Sequence, residues 1–173
     1  PYRLDSLDAS VTSCADAGVI LLGAAGNSRH KCDVEGGIDY NDLYYSAYYG
    51  MEFYYLRGMS PAAADGMITV GAIDSMVQQK AYFSECGPRV DVYSPGVMIM
   101  GAYANKSYQT VAVQDPRASG YYLNKISGTS QATPQVAGVV CCLMSVRPNA
   151  TTDQVKAWLY DQSTKNALVE GND

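Results

Sequence analysis

The chain has 173 residues, of which 47% are hydrophobic and only 17% charged, a balance that suits one domain with a real core and excludes a disordered polar chain. A net charge of -5 and a pI near 4.7 argue against nucleic acid or an anionic membrane as a partner. No uninterrupted apolar run reaches the roughly 18 residues that span a bilayer.

Leu4, Leu7, Val11, Cys14 and Ala15 recur at three- and four-residue spacing, which predicts a first helix with its apolar stripe against a sheet and Gly18 at its end. Residues 19–25 form a continuous apolar run of strand length, the pattern of a strand buried on both faces of a parallel sheet. Asn27 follows the carboxyl end of that strand, where open α/β sheets keep their sites, although an Asn there also suits a simple turn. His30 is the only histidine; in a polar loop it reads as a solvated surface residue. Seven of the fifteen tyrosines fall between Tyr40 and Tyr55, after Gly36-Gly37 and before Gly58. Exposed, they would give a recognition surface of large contact area; packed on one another, they would close a loop cluster.

Residues 67–74 predict a second buried strand, and the Tyr- and Gly-containing residues 103–122 a surface hairpin or loop. Residues 127–138 run from a Gly-containing turn into a helix, since Ala132, Val136, Ala137, Val139, Val140, Leu143 and Met144 keep helical spacing. Apolar groups on most sides and a small Gly138 predict a buried central helix with Pro134 in its first turn. Ser130 at its mouth is either an N-cap or a hydroxyl in the positive field of the helix end. Arg147-Pro148-Asn149 stops this helix, and Thr151 with Gln154 forms a capping box for a last one with Val155, Trp158 and Leu159 on its apolar face. Residues 169–173 are polar and expected to fray. The five cysteines show no metal-ligand spacing and read as buried reduced thiols.

Gly128-Thr129-Ser130-x-Ala132-Thr133-Pro134-x-Val136-Ala137-Gly138 resembles the nucleophile signature of the subtilisin-like serine proteases, the subtilases, with Gln135 where most members carry His. The run that ends Gly23-Ala24-Ala25-Gly26-Asn27 is similar to the subtilase strand whose last Asn donates its side-chain amide to the oxyanion. Residues 67–72 resemble a further strand of that family, and residues 81–84 and 87–97 continue the likeness through two more strands and a turn. The resemblance implies an α/β fold, the C-terminal part of a three-layer domain with a mostly parallel sheet and helices on both faces. It makes Ser130 the nucleophile, and Asn27 with the Ser130 N–H the oxyanion donors. Loss of such a donor in subtilisin itself costs about 10²- to 10³-fold in rate. Ala24, Ala25, Gly26 and Thr129 fall on the substrate-binding side, and residues 31–60 become a Tyr-rich insertion.

The chemistry so implied uses no cofactor, and no metal is expected near Asp91, because Arg89 stands where some relatives place an acidic ligand. In the family the triad Asp and His precede the oxyanion Asn, and no Asp-plus-His pair with that local sequence occurs here. Because the chain starts at Pro1 rather than Met, its start reads as a fragment boundary or processing site. The partner expected is an N-terminal chain of the same protease that carries Asp and His and pairs with the sheet edge; the chain alone would be inactive. The substrate is then a peptide or protein. The alternative is an inactive subtilase-fold module for protein binding or assembly.

Overall fold

The computed structural model describes residues 3–104 and 112–168. Its elements in order are α1 (Asp5–Asp16), β1 (Leu21–Ala24), β2 (Leu43–Ser46), β3 (Met51–Tyr54), β4 (Met67–Asp74), β5 (Gln79–Lys80), β6 (Val92–Pro95), β7 (Ile99–Tyr103), β8 (Val113–Gln114), β9 (Tyr122–Ile126), α2 (Thr129–Val146) and α3 (Thr152–Gln162).

β4 is the central strand. β1 and β6 flank it in parallel, with Leu22 opposite Ile68 and Gly71 opposite Tyr93, and β5 adds a short antiparallel pair. Alternation along β4 sorts its side chains by face. Ile68, Val70 and Ala72 pack with Ala132, Val136, Val140 and Leu143 of α2 and with Val155 and Leu159 of α3. Met67 joins Val11 of α1 and Ala64 in a smaller cluster. Helices therefore cover both faces, and each buried Val or Leu contributes about 1.5–3 kcal/mol. A second sheet, β8-β9-β7, and a separate hairpin, β2-β3, complete the described chain.

Several expectations are met. Gly18 follows α1 at φ +86°, β4 has the anticipated bounds, and Thr151 and Gln154 exchange both capping-box bonds. Others need correction. β1 is only half-buried, because it is an edge strand: among the described residues nothing pairs with it except β4. Residues 81–84 form a turn, not a strand, since Ser84 donates its N–H to Ala81 and its hydroxyl to Glu85 O. α2 is buried on one face only. Gly138 meets open space, Val139 is 47% exposed, and Cys141 and Cys142 are exposed. Cys14 on α1 is exposed as well, so of the five thiols only Cys32 is fully buried. The predicted hairpin at 103–122 exists in part as β8-β9; residues 105–111, like the chain end at 169–173, lie outside the described residues.

Arg89 acts as an internal cation under the loop that precedes β4. Its guanidinium donates to the carbonyls of Ala63 (3.3 Å), Ala64 (2.6 Å) and Met67 (3.2 Å) and pairs with Asp91 at 3.2 Å. Asp91 in turn accepts from the Thr69 N–H and pairs with Lys156 of α3. Charged donors satisfying several backbone acceptors are among the stronger polar contacts. Arg89→Met is expected to destabilise the fold by about 3 kcal/mol, read as a lowered thermal midpoint, with little change for the control Arg117→Met.

Candidate active site

Two segments 102 residues apart meet at the carboxyl end of β1. The side-chain Oδ1 of Asn27 accepts the Thr129 N–H at 2.9 Å and the Thr129 hydroxyl at 3.1 Å, and the Gly26 N–H donates to Thr129 Oγ1 at 3.3 Å. The helix thereby obtains an acceptor for one of its orphan first-turn N–H groups from a distant residue rather than a local cap. Gly128, in extended backbone, occupies the N-cap position and provides no side-chain cap. Because an N–H must face an oxygen, this contact also fixes the carboxamide orientation, and the Nδ2 amide is left as a donor on the other side.

Ser130 is the second residue of α2, exposed, and not the N-cap. Its N–H has no intrahelical acceptor by position. A hydroxyl, a free N–H and the Asn27 amide are thus gathered at the positive end of an 18-residue helix, an arrangement that stabilises developing negative charge. Thr129 is fully buried, its polar atoms engaged with Asn27 and Gly26. Ala25 is buried, and Ala24 and Gly26 are half-buried along the strand that leads to Asn27.

Pro134 lies in the second turn, not the first, because α2 already begins at Thr129. Its missing N–H leaves the Ser130 carbonyl without its usual helical partner. Nearby side chains tie this turn down. Thr133 donates its hydroxyl to Thr129 O at 2.9 Å, and the Gln135 amide donates to Gln131 O at 2.9 Å and to Pro95 O at 2.6 Å. Gln135 thus pins the start of α2 to the end of β6.

His30 is not a solvated surface residue. Its Nε2 bonds the Tyr55 hydroxyl, and its Nδ1 faces Glu85 Oε1 at 3.7 Å. Burial holds the imidazole below its ordinary 6.5 and pushes the Glu85 carboxyl above its ordinary 4.5. The Cys32 thiol lies 3.7 Å from Glu85 Oε2 and is pushed up to about 12, mainly by burial. Both ring nitrogens are therefore turned to partners within the fold, and no other histidine exists among the 173 residues. The hairpin β2-β3 carries Tyr44, Tyr45, Tyr48, Tyr49 and Tyr54. Their rings pair, Tyr48 with Tyr49 and Tyr49 with Phe53, yet Tyr44, Tyr45, Tyr48 and Tyr49 stay exposed, so the insertion is both a ring cluster and an open surface.

A carboxyl whose folded value is raised contributes most below its ordinary value and loses that contribution as the pH rises through the raised one. The stability of Glu85→Gln relative to the parent is therefore expected to improve between pH 4.5 and pH 7, which denaturant unfolding at both values checks.

A model of the subtilase family (peptidase S8) matches residues 3–172. Among similar proteins, a subtilase-type proteinase of the sexual differentiation process in Schizosaccharomyces pombe is 35% identical over 163 residues, 94% of this chain and 27% of that protein. A thermostable alkaline protease of Halalkalibacterium halodurans is 28% identical over 159 residues, 92% of this chain and 33% of its own length. The fold superposes on a cold adapted subtilisin-like serine proteinase with a TM-score of 0.68 at 24% identity, covering 97% of this chain and 47% of the other. The chain thus spans 27% and 33% of these two curated relatives and 47% of the solved structure. With this α/β architecture and a family match over nearly its whole length, the chain belongs to the subtilase family.

Proposed function

We propose that this chain is the Ser-bearing part of a subtilisin-type serine endopeptidase that hydrolyses peptide bonds through an acyl-enzyme on Ser130. Its main support is the pairing of Asn27 Oδ1 with Thr129, which leaves the carboxamide NH2 and the Ser130 N–H as donors beside the Ser130 hydroxyl. Ser130 Oγ attacks the scissile carbonyl carbon, its proton passing to a histidine base. The carbonyl oxygen becomes O⁻ and is held by Asn27 Nδ2–H and the Ser130 N–H. Collapse expels the amine, which takes the proton from the histidine, and water then releases the acyl group by the reverse sequence.

His30 cannot serve as that base with both its nitrogens turned to Tyr55 and Glu85. The base and its orienting Asp would come from an N-terminal segment of the same protease, outside these 173 residues. Two surfaces fit such a partner: the open edge of β1, and the outer face of α2 around Val139 and Val146. A strand added to β1 would satisfy its free backbone groups. Ala24, Ala25 and Gly26 would then form one wall of the pocket for the residue before the scissile bond. A second reading, an inactive module for protein binding or assembly, draws on the exposed tyrosines of the hairpin.

Intact mass spectrometry of the protease containing its N-terminal segment, with and without an alkyl fluorophosphonate, separates the two. One adduct on Ser130, abolished by Ser130→Ala and slowed about 10²- to 10³-fold by Asn27→Leu, is expected. A folded complex that takes no adduct moves the function to binding.

A further inference from the structure

The loop that carries Asn27 is held from behind by a carboxylate that the chemistry at Ser130 does not use. Glu85 is 1% exposed. Its Cγ lies 2.7 Å from where a Cβ on Gly26 would stand, and Gly26 sits at φ +120°, so both space and backbone demand glycine there. The Glu85 N–H donates to Gly26 O at 3.1 Å, the Cys86 N–H to His30 O at 3.1 Å, and the Arg29 N–H to Phe83 O at 3.1 Å. The N–H groups of Ser28 and His30 are directed at the Glu85 carboxylate. The backbone on both sides of Asn27 is therefore held by residues 83–86, with the Glu85 side chain packed beneath it.

The same carboxylate leads outward to the hairpin. Glu85 Oε1 and His30 Nδ1 face each other at 3.7 Å, too far for a hydrogen bond, and among the described residues neither atom has a hydrogen-bond partner. The opposite ring nitrogen of His30 bonds the Tyr55 hydroxyl, with the two rings 4.0 Å apart, and Tyr55 packs on Tyr44 of β2 at 5.0 Å. A buried carboxylate with one oxygen unsatisfied is a poor choice for stability alone. Placed behind a group that must be aligned before charge develops, it has a use.

We propose that Glu85 and His30 are positioning residues for the oxyanion donor Asn27, and that Tyr55 makes the Tyr-rich hairpin part of the same support. This rests on the protease reading given above. Asn27 is fixed at its oxygen by Thr129, and the Glu85–His30 pair fixes the backbone from which its side chain springs. A shift of the donor by a fraction of an ångström weakens its grip on the transition state more than its grip on the substrate. Rate should suffer while substrate binding does not.

The test uses the protease with its N-terminal segment and compares the parent with Glu85→Gln and Tyr55→Phe. The readouts are the rate of fluorophosphonate addition to Ser130, kcat and KM on a peptide substrate, and the thermal midpoint. Glu85→Gln is expected to react about tenfold more slowly, with kcat reduced in proportion, KM unchanged and the midpoint at pH 7 undiminished. Tyr55→Phe, which keeps the ring and loses only the hydroxyl, is expected to slow the reaction about threefold. Folded variants that both react at the parental rate overturn the proposal. So does a Glu85→Gln protein whose midpoint falls along with its rate, since that marks a structural group. A folded parent that takes no label on Ser130 removes the protease reading instead, and this proposal with it.

Discussion

The contact on which the rest of the site depends is the Asn27 carboxamide oxygen on the Thr129 N–H. It joins a loop residue just beyond the carboxyl end of β1 to the first turn of a helix that starts 102 residues later. One hydrogen bond of 2.9 Å does three things at once. It satisfies an orphan donor of α2, it sets where the helix begins, and it turns the amide of Asn27 toward the side where Ser130 stands. An Ala or Leu at 27 would leave the Thr129 N–H without its oxygen and the site without a donor. An Asp would accept the bond and offer no N–H. Only an amide does both.

That contact also explains which parts of the site were legible in the sequence. The Ser130 signature is a local string, and the apolar spacing of residues 132–144 belongs to one helix, so both can be read from neighbours in the chain. The start of the helix cannot, because it is set by Asn27. Pro134 is consequently displaced from the first turn to the second, and the carbonyls around it are served by Thr133 and Gln135. His30 misleads for a similar reason. Its flanking residues are polar, while Glu85 and Tyr55, which bury it, lie 55 and 25 positions away. Periodicity shows that a helix face is apolar; it does not show what covers it. The outer face of α2 illustrates this, since its sequence is that of a buried helix although Val139 and Val146 remain exposed.

Some of the exposed apolar groups lie on the elements beside β1. Leu4, Leu7 and Val19 lie along α1 and the entry to β1, and Val139 and Val146 lie along α2. Isolated apolar side chains on a surface need no explanation, but an open parallel strand between two such helices does. Parallel sheets are normally covered on both faces and flanked by further strands. The sheet β1-β4-β6 meets the first condition and not the second at β1. Among the described residues β6 likewise pairs with β4 alone, so both outer strands of this sheet keep a free edge.

Arg89 and Glu85 show two opposite uses of a charged side chain close to the same strand. Arg89 has three carbonyls and a carboxylate around it, so its charge is matched and its donors are used. It holds the loop that leads into β4, and stability is a sufficient account of it. Glu85 has a glycine flush against its stem, the His30 imidazole at 3.7 Å and one oxygen, Oε1, without a hydrogen-bond partner among the described residues. Burial raises its carboxyl and depresses the imidazole, so neither group favours its charged form there. Fold stability alone would select an apolar residue or an amide at that position. The feature that singles out the position is what it touches, the backbone beside Asn27, and under the proposed protease function the requirement it would meet is that the donor amide be in place before the oxyanion forms.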